Sequence, residues 1–190
     1  MSSKIYQIKI SIKDSYPLIW RRLYIHSDIL LTDFHKMLQT VVGWSNAYSH
    51  QFIKDDVYYV LPSDNFGNDG ATIDYREKKV SDLLDDEENK IFYEYDFRDR
   101  WLHEIELENI LDVDPHNTYP FCQDGELHCP PEGCGGVEGY DDLLSILSDI
   151  DNEEYYETIK WLGEDFDAHE FDKCFVNEML RRKNFGCKVY

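Results

Sequence analysis

His50 and His103, with Asp96, Asp99 and Glu132, are the groups in this chain that could move a proton near neutral pH. An imidazole titrates in that range, and a neighbouring carboxylate can orient it or stabilise its charge. If the two histidines converge with these acids in a cleft, hydrolase-like chemistry follows. If they do not, His103 is a core histidine, because it shares a strand face with Trp101 and Ile105. A second set, Cys122, His128, Cys129 and Cys134, holds the ligand types that zinc takes. Its spacing, C-x6-C-x4-C, lacks the paired C-x2-C of zinc knuckles. Adjacent His128 and Cys129 are also poorly placed to reach one ion. The expectation is reduced thiols and no cofactor, with Cys122 and Cys134 packed as small hydrophobes. Arg21, beside Trp20, could hold an anion or pair with Asp99 as a buried ion pair. The expected pocket lies where the central strands meet a Pro/Gly-rich loop, and draws on Arg21, His50, Asp99, Trp101, His103 and Glu132.

The elements that carry these residues are readable from periodicity. Tyr6, Ile8, Ile10 and Ile12 alternate with polar residues, which marks a half-buried strand. After Tyr16-Pro17 a second strand runs from Ile19 to His26, with Ile19, Arg21, Leu23 and Ile25 on one face. The short polar connection makes the pair a hairpin. Phe34, Met37, Leu38, Val41 and Val42 recur at helical spacing, with Thr32 expected as N-cap and Gly43 as the C-terminal glycine. Tyr48–Ile53, Asp56–Leu61, Ile91–Asp96 and Trp101–Leu107 read as further strands. Residues 62–70 read as a surface loop that falls short of a calcium template, and Val80–Asp85 as a short helix.

The stretch Tyr119–Tyr140 holds three of the five cysteines, three of the six prolines and five of the ten glycines. It shows neither helical nor strand periodicity, so an ordered loop is expected there. Beyond it the pattern is helical. Leu143, Leu144, Ile146 and Leu147 form a stripe. Asn152 is placed to cap a helix with Tyr155, Tyr156, Ile159 and Trp161. Asp167 and Glu170 resemble a capping box before Phe171, Phe175, Met179 and Leu180. Strands come first and helices last, which is α+β order. The expected architecture is a single domain over 1–190: a mostly antiparallel sheet with one packed helix over 4–110, a Pro/Gly/Cys loop over 111–139, and a helical segment over 140–184.

With 190 residues, 42% apolar and 15% aromatic, the chain can build a sizeable core. No apolar run reaches the roughly 18 residues of a membrane span, and residues 1–13 lack a signal-peptide core, so a cytoplasmic protein is expected. Five cysteines in such a chain argue against a disulfide framework. The formal charge is −20, and it is uneven: residues 1–54 carry seven Lys/Arg against three acids, residues 55–190 twelve against thirty-six. A field of that sign repels phosphates, so nucleic acid is not an expected partner. A protein or small-molecule partner is.

Several short signatures accumulate in order: Pro17-x-x-Trp20-Arg21-Arg22, Leu31-x-Asp33-Phe34-His35, Gly43-Trp44 with His50-x-Phe52, Tyr95-Asp96-Phe97-x-Asp99-x-Trp101-x-His103, Tyr119-Pro120-x-Cys122-x-x-Gly125, and Pro130-Pro131-Glu132-x-Cys134-Gly135-Gly136 with Gly139-Tyr140. In this the chain resembles the plasmid pRiA4b ORF-3-like family of bacterial and archaeal proteins, from about Ile5 to Leu180. The resemblance implies little about activity. Some members carry a transposon-resolvase label, which would make the chain a mobile-element accessory protein. The serine-and-arginine cluster of a serine resolvase is not legible here. The chain departs from the family pattern at Tyr48, where a first histidine often precedes His50, at Arg98, in place of a glycine, and at Gly133, in place of an acid. The leading expectation is therefore a binding or interaction module. The alternative is a hydrolase-like enzyme using His50, His103 and nearby carboxylates.

Overall fold

In the computed structural model, which describes residues 3–62, 70–163 and 165–188, the alternating apolar residues of the N-terminal half are the reason for its sheet. β1 (Ile5–Ile12) turns Ile8, Ile10 and Ile12 inward, and β2 (Trp20–His26) turns Arg21, Leu23 and Ile25 inward. The two strands pair antiparallel, with Ile8 opposite Leu23. α1 (Leu31–Val42) lays Phe34, Met37, Leu38 and Val41 on this inner face, all at most 1% exposed. It closes on Gly43 at φ 85°, in the left-handed region that glycine enters without cost.

β3 (His50–Lys54) and β4 (Val57–Val60) form a hairpin. Its turn residues Asp55 and Asp56 both have positive φ, as a two-residue turn matched to strand twist requires. β5 (Ala71–Asp74), β6 (Lys90–Tyr95), β7 (Trp101–Leu111) and β8 (Phe121–Glu126) complete one eight-stranded sheet in the order β5-β4-β3-β6-β7-β1-β2-β8. Among the described strands only β4 and β5 run parallel. Three helices follow: α2 (Gly136–Ser148), α3 (Tyr155–Leu162) and α4 (Lys173–Leu180). The fold is α+β, with the strands in the first 126 residues.

The outer face of the central strands is polar. Arg22 forms a two-pronged bond with Glu108 at 2.6 and 2.8 Å, and Lys90 reaches Glu104 and Glu106 at 2.7 and 3.6 Å. Cross-strand pairs of this kind suit a sheet that faces water on one side.

The segment expected as an unbroken loop over 111–139 differs from that expectation. Its middle is the edge strand β8 on β2, and its last residues begin α2. An edge strand needs few inward residues, and here Cys122 alone is buried, so no alternation was visible. Phe121 instead stacks on Tyr24, with centroids 4.8 Å apart and planes 9° apart. Gly125 lies where a Cβ would sit 2.6 Å from the Phe171 ring and 2.7 Å from Arg21 Cδ, so a side chain there has no room.

Helix starts also differ. α1 begins after Leu30 rather than Thr32. The Asp167 side chain takes the His169 N–H in a local turn, and the true cap of α4 is Asp172, which accepts from Phe175 N at 2.8 Å. Asn152 accepts from Glu154 N in the turn ahead of α3. Val80–Asp82 is a single 3-10 turn. β5 escaped notice because its four residues are mostly exposed. The expected 62–70 loop falls largely on residues 63–69, outside the described residues.

Asn177 of α4 closes the edge of β8: its Nδ2 donates to Cys122 O and its Oδ1 accepts from Cys122 N, each at 2.8 Å. An exposed edge is otherwise a template for unwanted pairing. Asn177→Leu strands two backbone groups, at about 1–3 kcal/mol. Thermal denaturation should show a melting temperature lower by several degrees, because 1 kcal/mol corresponds to roughly 2–4 °C at this size. An unchanged melting temperature contradicts the bridging role.

Candidate functional site

Arg21 is turned inward by its place on β2 and is 3% exposed. A guanidinium carries five N–H donors and stays charged. All five are used: Nε on Val41 O (3.1 Å), Nη1 on Trp20 O and Glu126 O (2.7 Å each), and Nη2 on Leu127 O (2.7 Å) and Cys129 Sγ (3.1 Å). Its carbon centre lies 3.7 Å from the centroid of the Phe171 ring. The expected Arg21–Asp99 ion pair is not formed, and among the described residues no carboxylate bridges to Arg21. The charge is met by carbonyl dipoles, one of them at the C-terminal end of α1, where a cation is favoured, and by an aromatic face.

Trp101 and His103, two of the other sequence-selected residues, pack against Trp44. Its ring lies 4.9 Å from Tyr95, 5.6 Å from Trp101 and 5.2 Å, edge-on, from His103, and its Nε1 donates to Pro130 O. Glu132 accepts from the Tyr95 hydroxyl at 2.6 Å and from Ser45 N at 2.9 Å. Asp99 accepts from Gly135 N at 3.1 Å. The Pro/Gly segment thus does dock on the end of β6 and β7, through Asp99, Tyr95 and Trp44. Trp101 and His103 are enclosed there, with Trp101 Nε1 and His103 Nε2 buried without a hydrogen-bond partner, while Asp99 and Glu132 are half-buried and accept from Gly135 N, the Tyr95 hydroxyl and Ser45 N; Arg21 and His50 bond elsewhere.

His103 is wholly enclosed. Its Nδ1 lies 3.2 Å from Tyr93 O and 3.1 Å from Trp101 O, so Nδ1 carries the proton. Burial pushes its pKa down to about 4. His50 stacks on His35 with centroids 3.5 Å apart and planes 4° apart. Burial pushes His35 down to about 4 and His50 well below the usual imidazole value, with the neighbouring His35 a second cause at His50. His35 belongs to a closed ring of hydrogen bonds. Gln39 Nε2 donates to the Tyr93 hydroxyl, which donates to His35 Nδ1, while His35 Nε2 donates to Asn46 Oδ1 and Asn46 N donates to Gln39 Oε1. His35 was missed as a partner of His50, although it sits four residues after Leu31 and three before Leu38, on the buried face of α1. A shallow depression of about 410 Å³ opens over His35, Asn46 and His50.

The four metal-type residues point to separate partners. Cys122 Sγ faces Asp124 O, Cys129 Sγ meets Arg21, Cys134 Sγ faces Gly136 O, and His128 bonds Cys129 O and packs edge-on against Phe166. Among the described residues no group of three or more His, Cys, Asp or Glu is placed to hold a metal. Burial raises the Cys122 and Cys134 thiols to about 11, which keeps them protonated and poor ligands.

A mostly apolar concavity lies elsewhere. A cleft of about 400 Å³ runs between α2, α3, residues 166–169 and the Ser15–Ile19 turn. Ile19, Leu127, Tyr140, Leu144, Leu147 and Phe166 supply its walls, while Asp167 and His169 stand at its edge. Two helical stripes build it: Tyr140, Leu144 and Leu147 on α2, and Tyr155 and Ile159 on α3. Burial pushes the Tyr140 phenol to about 12, so it stays neutral. None of the eight residues of α3 is buried, and Tyr156 and Trp161 are 71% and 54% exposed.

The sequence and the overall fold have counterparts in known proteins. The plasmid pRiA4b ORF-3-like family pattern matches residues 4–174. The chain belongs to that family. It is 32% identical over 170 residues, 88% of this chain and 86% of the other, to the uncharacterized protein y4hQ of Sinorhizobium fredii (strain NBRC 101917 / NGR234). It also shares 32% identity and a TM-score of 0.82 with a protein of unknown function, MM3350, from Methanosarcina mazei Go1, over 92% of this chain and 97% of that one. No helix among the described residues is long and apolar enough to cross a membrane.

The buried histidines of this pRiA4b ORF-3-like protein make a pH dependence. Their folded pKa lies below the unfolded value of about 6.5, so the unfolded chain takes up the proton first. The stability they contribute is present above about pH 6.5 and is lost as pH falls towards 4. His103→Gln should flatten the stability–pH profile from urea denaturation by up to about 1.4 kcal/mol per pH unit in that window. Parallel profiles for wild type and variant contradict a buried neutral His103.

Proposed function

We propose that this protein is a binding module and that its receptor is the cleft between α2, α3 and the Ser15–Ile19 turn. One observation carries the reading: a concavity of ligand size, about 400 Å³, is walled on one side by a helix with no buried residue. Ligand sites are mostly apolar, concave and fitted with a few polar groups at the edge. A short helix is marginal unless one face is packed, so α3 gains from any occupant that covers its apolar stripe.

The enzyme reading has less support. His103 is enclosed and bound to carbonyls, and Asp99 and Glu132 are held by Gly135 N and the Tyr95 hydroxyl rather than by a histidine. An acid–base pair needs both members within reach of a substrate.

A neutral solvatochromic dye tests the reading directly. Its emission should shift to the blue and saturate at one dye per chain. Leu147→Gln, on the cleft wall, should weaken the dye by about tenfold with the melting temperature retained, since one lost apolar contact is worth roughly 1–3 kcal/mol. Emission unchanged from water, or a Leu147→Gln protein that binds like wild type, contradicts it.

A further inference from the structure

The cleft has a charged surround that its walls do not explain. Between residues 141 and 172 the sequence carries twelve acidic residues against a single lysine, Lys160. The described acids among them are exposed, including Asp141 and Asp142 on α2, Glu157 on α3 and Asp167 at the cleft edge. An apolar side chain stands open at the same cleft: Tyr16, in its lining, is 88% exposed. An apolar trough set in an acidic stretch of chain, with Asp167 in its lining, selects the chemistry of what enters it.

We propose that the cleft takes the apolar face of a basic amphipathic helix supplied by a partner protein; this rests on the binding reading above. Leu or aromatic residues at i, i+3, i+4 and i+7 would fill the trough between Leu144, Leu147 and Ile159, as in other helix-in-groove complexes. Lys and Arg on the flanks of that helix would face Asp167, in the cleft lining, and Asp141, the residue after Tyr140 on α2. The charge argues against the other occupants. A second copy of this chain brings the same acidic rim against itself, because a two-fold interface pairs identical patches. A fatty acid or an anionic headgroup meets the same repulsion. A neutral small molecule fills the trough and leaves the rim unused.

The test uses the full chain and three synthetic peptides: a Lys/Leu amphipathic helix, the same helix with Glu for Lys, and the Lys peptide with Ala for Leu. Binding is followed by calorimetry, with Trp161 emission as a second readout. The Lys/Leu peptide should bind one to one. Its affinity should fall by about tenfold or more between roughly 0.05 and 0.3 M salt, as screened charge pairs require. The Glu/Leu peptide should not bind. The Lys/Ala peptide and the Ile159→Asn protein should each lose about tenfold or more, the equivalent of one well-buried apolar anchor. Ile159 is only partly covered, so this variant is expected to keep its melting temperature. Asp167→Asn, which removes one charge from the cleft lining at unchanged side-chain size, should reduce the salt dependence. Equal affinity for the Lys/Leu and Lys/Ala peptides would reduce the interaction to bulk charge and overturn the proposal. So would full-strength binding by both Ile159→Asn and Asp167→Asn. Dye binding without peptide binding would overturn the basic-helix partner and leave the cleft standing as a receptor; loss of both would remove the cleft as well.

Discussion

A buried guanidinium that cannot lose its charge is the constraint the rest of this fold answers. Arg21 is the second residue of β2, at a position where alternation would place a hydrophobe, and burying an unpartnered cation there would be very costly. The chain meets the cost by bringing five acceptors from distant segments to one planar fork. The end of α1, the end of β8 and the Leu127–Cys129 segment are thereby fixed relative to β2, and the Phe171 ring covers the guanidinium. Gly125 leaves the space in which ring and guanidinium stack. Leu127 then becomes a wall of the apolar cleft, so the clamp is also what shapes the receptor.

The second polar system is the interior around Tyr93. His35, Gln39 and Asn46 hold its hydroxyl in a closed ring, and His50 and His103 flank its aromatic plane at 5.8 and 5.5 Å. Networks of this kind are stable when satisfied and damaging when half-satisfied. That explains why polar residues at core positions accompany each other in the sequence. They fix the approach of α1 to β3 and β6, while the exposed acids and the open cleft lie on the helical side of the molecule.

The parts of the fold that rest on local repetition were legible. β1, β2 and β7 alternate cleanly, and α1 carries a full apolar stripe with Gly43 at its end. β8 and β5 were not, since edge strands bury one face of one or two residues. The helix starts at Leu31 and Lys173 were missed because an Asx-type side chain can serve a local turn as readily as a helix, as Asp167 does. In the expected site, Asp99 bonds to the Pro/Gly segment and Glu132 within it bonds to Tyr95, while Trp101 and His103 are enclosed beside Trp44; spacing cannot tell such packing from a cleft. Arg21 looked like half of an ion pair because carbonyl acceptors are invisible in side-chain types. The apolar cleft was hidden for a different reason. Its walls come from five separated segments, and Leu144, Leu147 and Ile159 look like ordinary core in any one of them.

The shape of the cleft depends most on Arg21 holding the Leu127–Cys129 segment against β2. Amide hydrogen exchange in Arg21→Lys tests it, since lysine keeps the charge and loses the planar fork. The reporter is the His128 N–H, which donates to Ala168 O at 3.0 Å and joins that segment to the 166–169 wall. Exchange at His128 and its neighbours should accelerate by about a hundredfold or more, the loss of roughly 3 kcal/mol of local protection, while amides of β3 and β6 keep their wild-type rates. Unchanged protection at His128 in Arg21→Lys would contradict the claim.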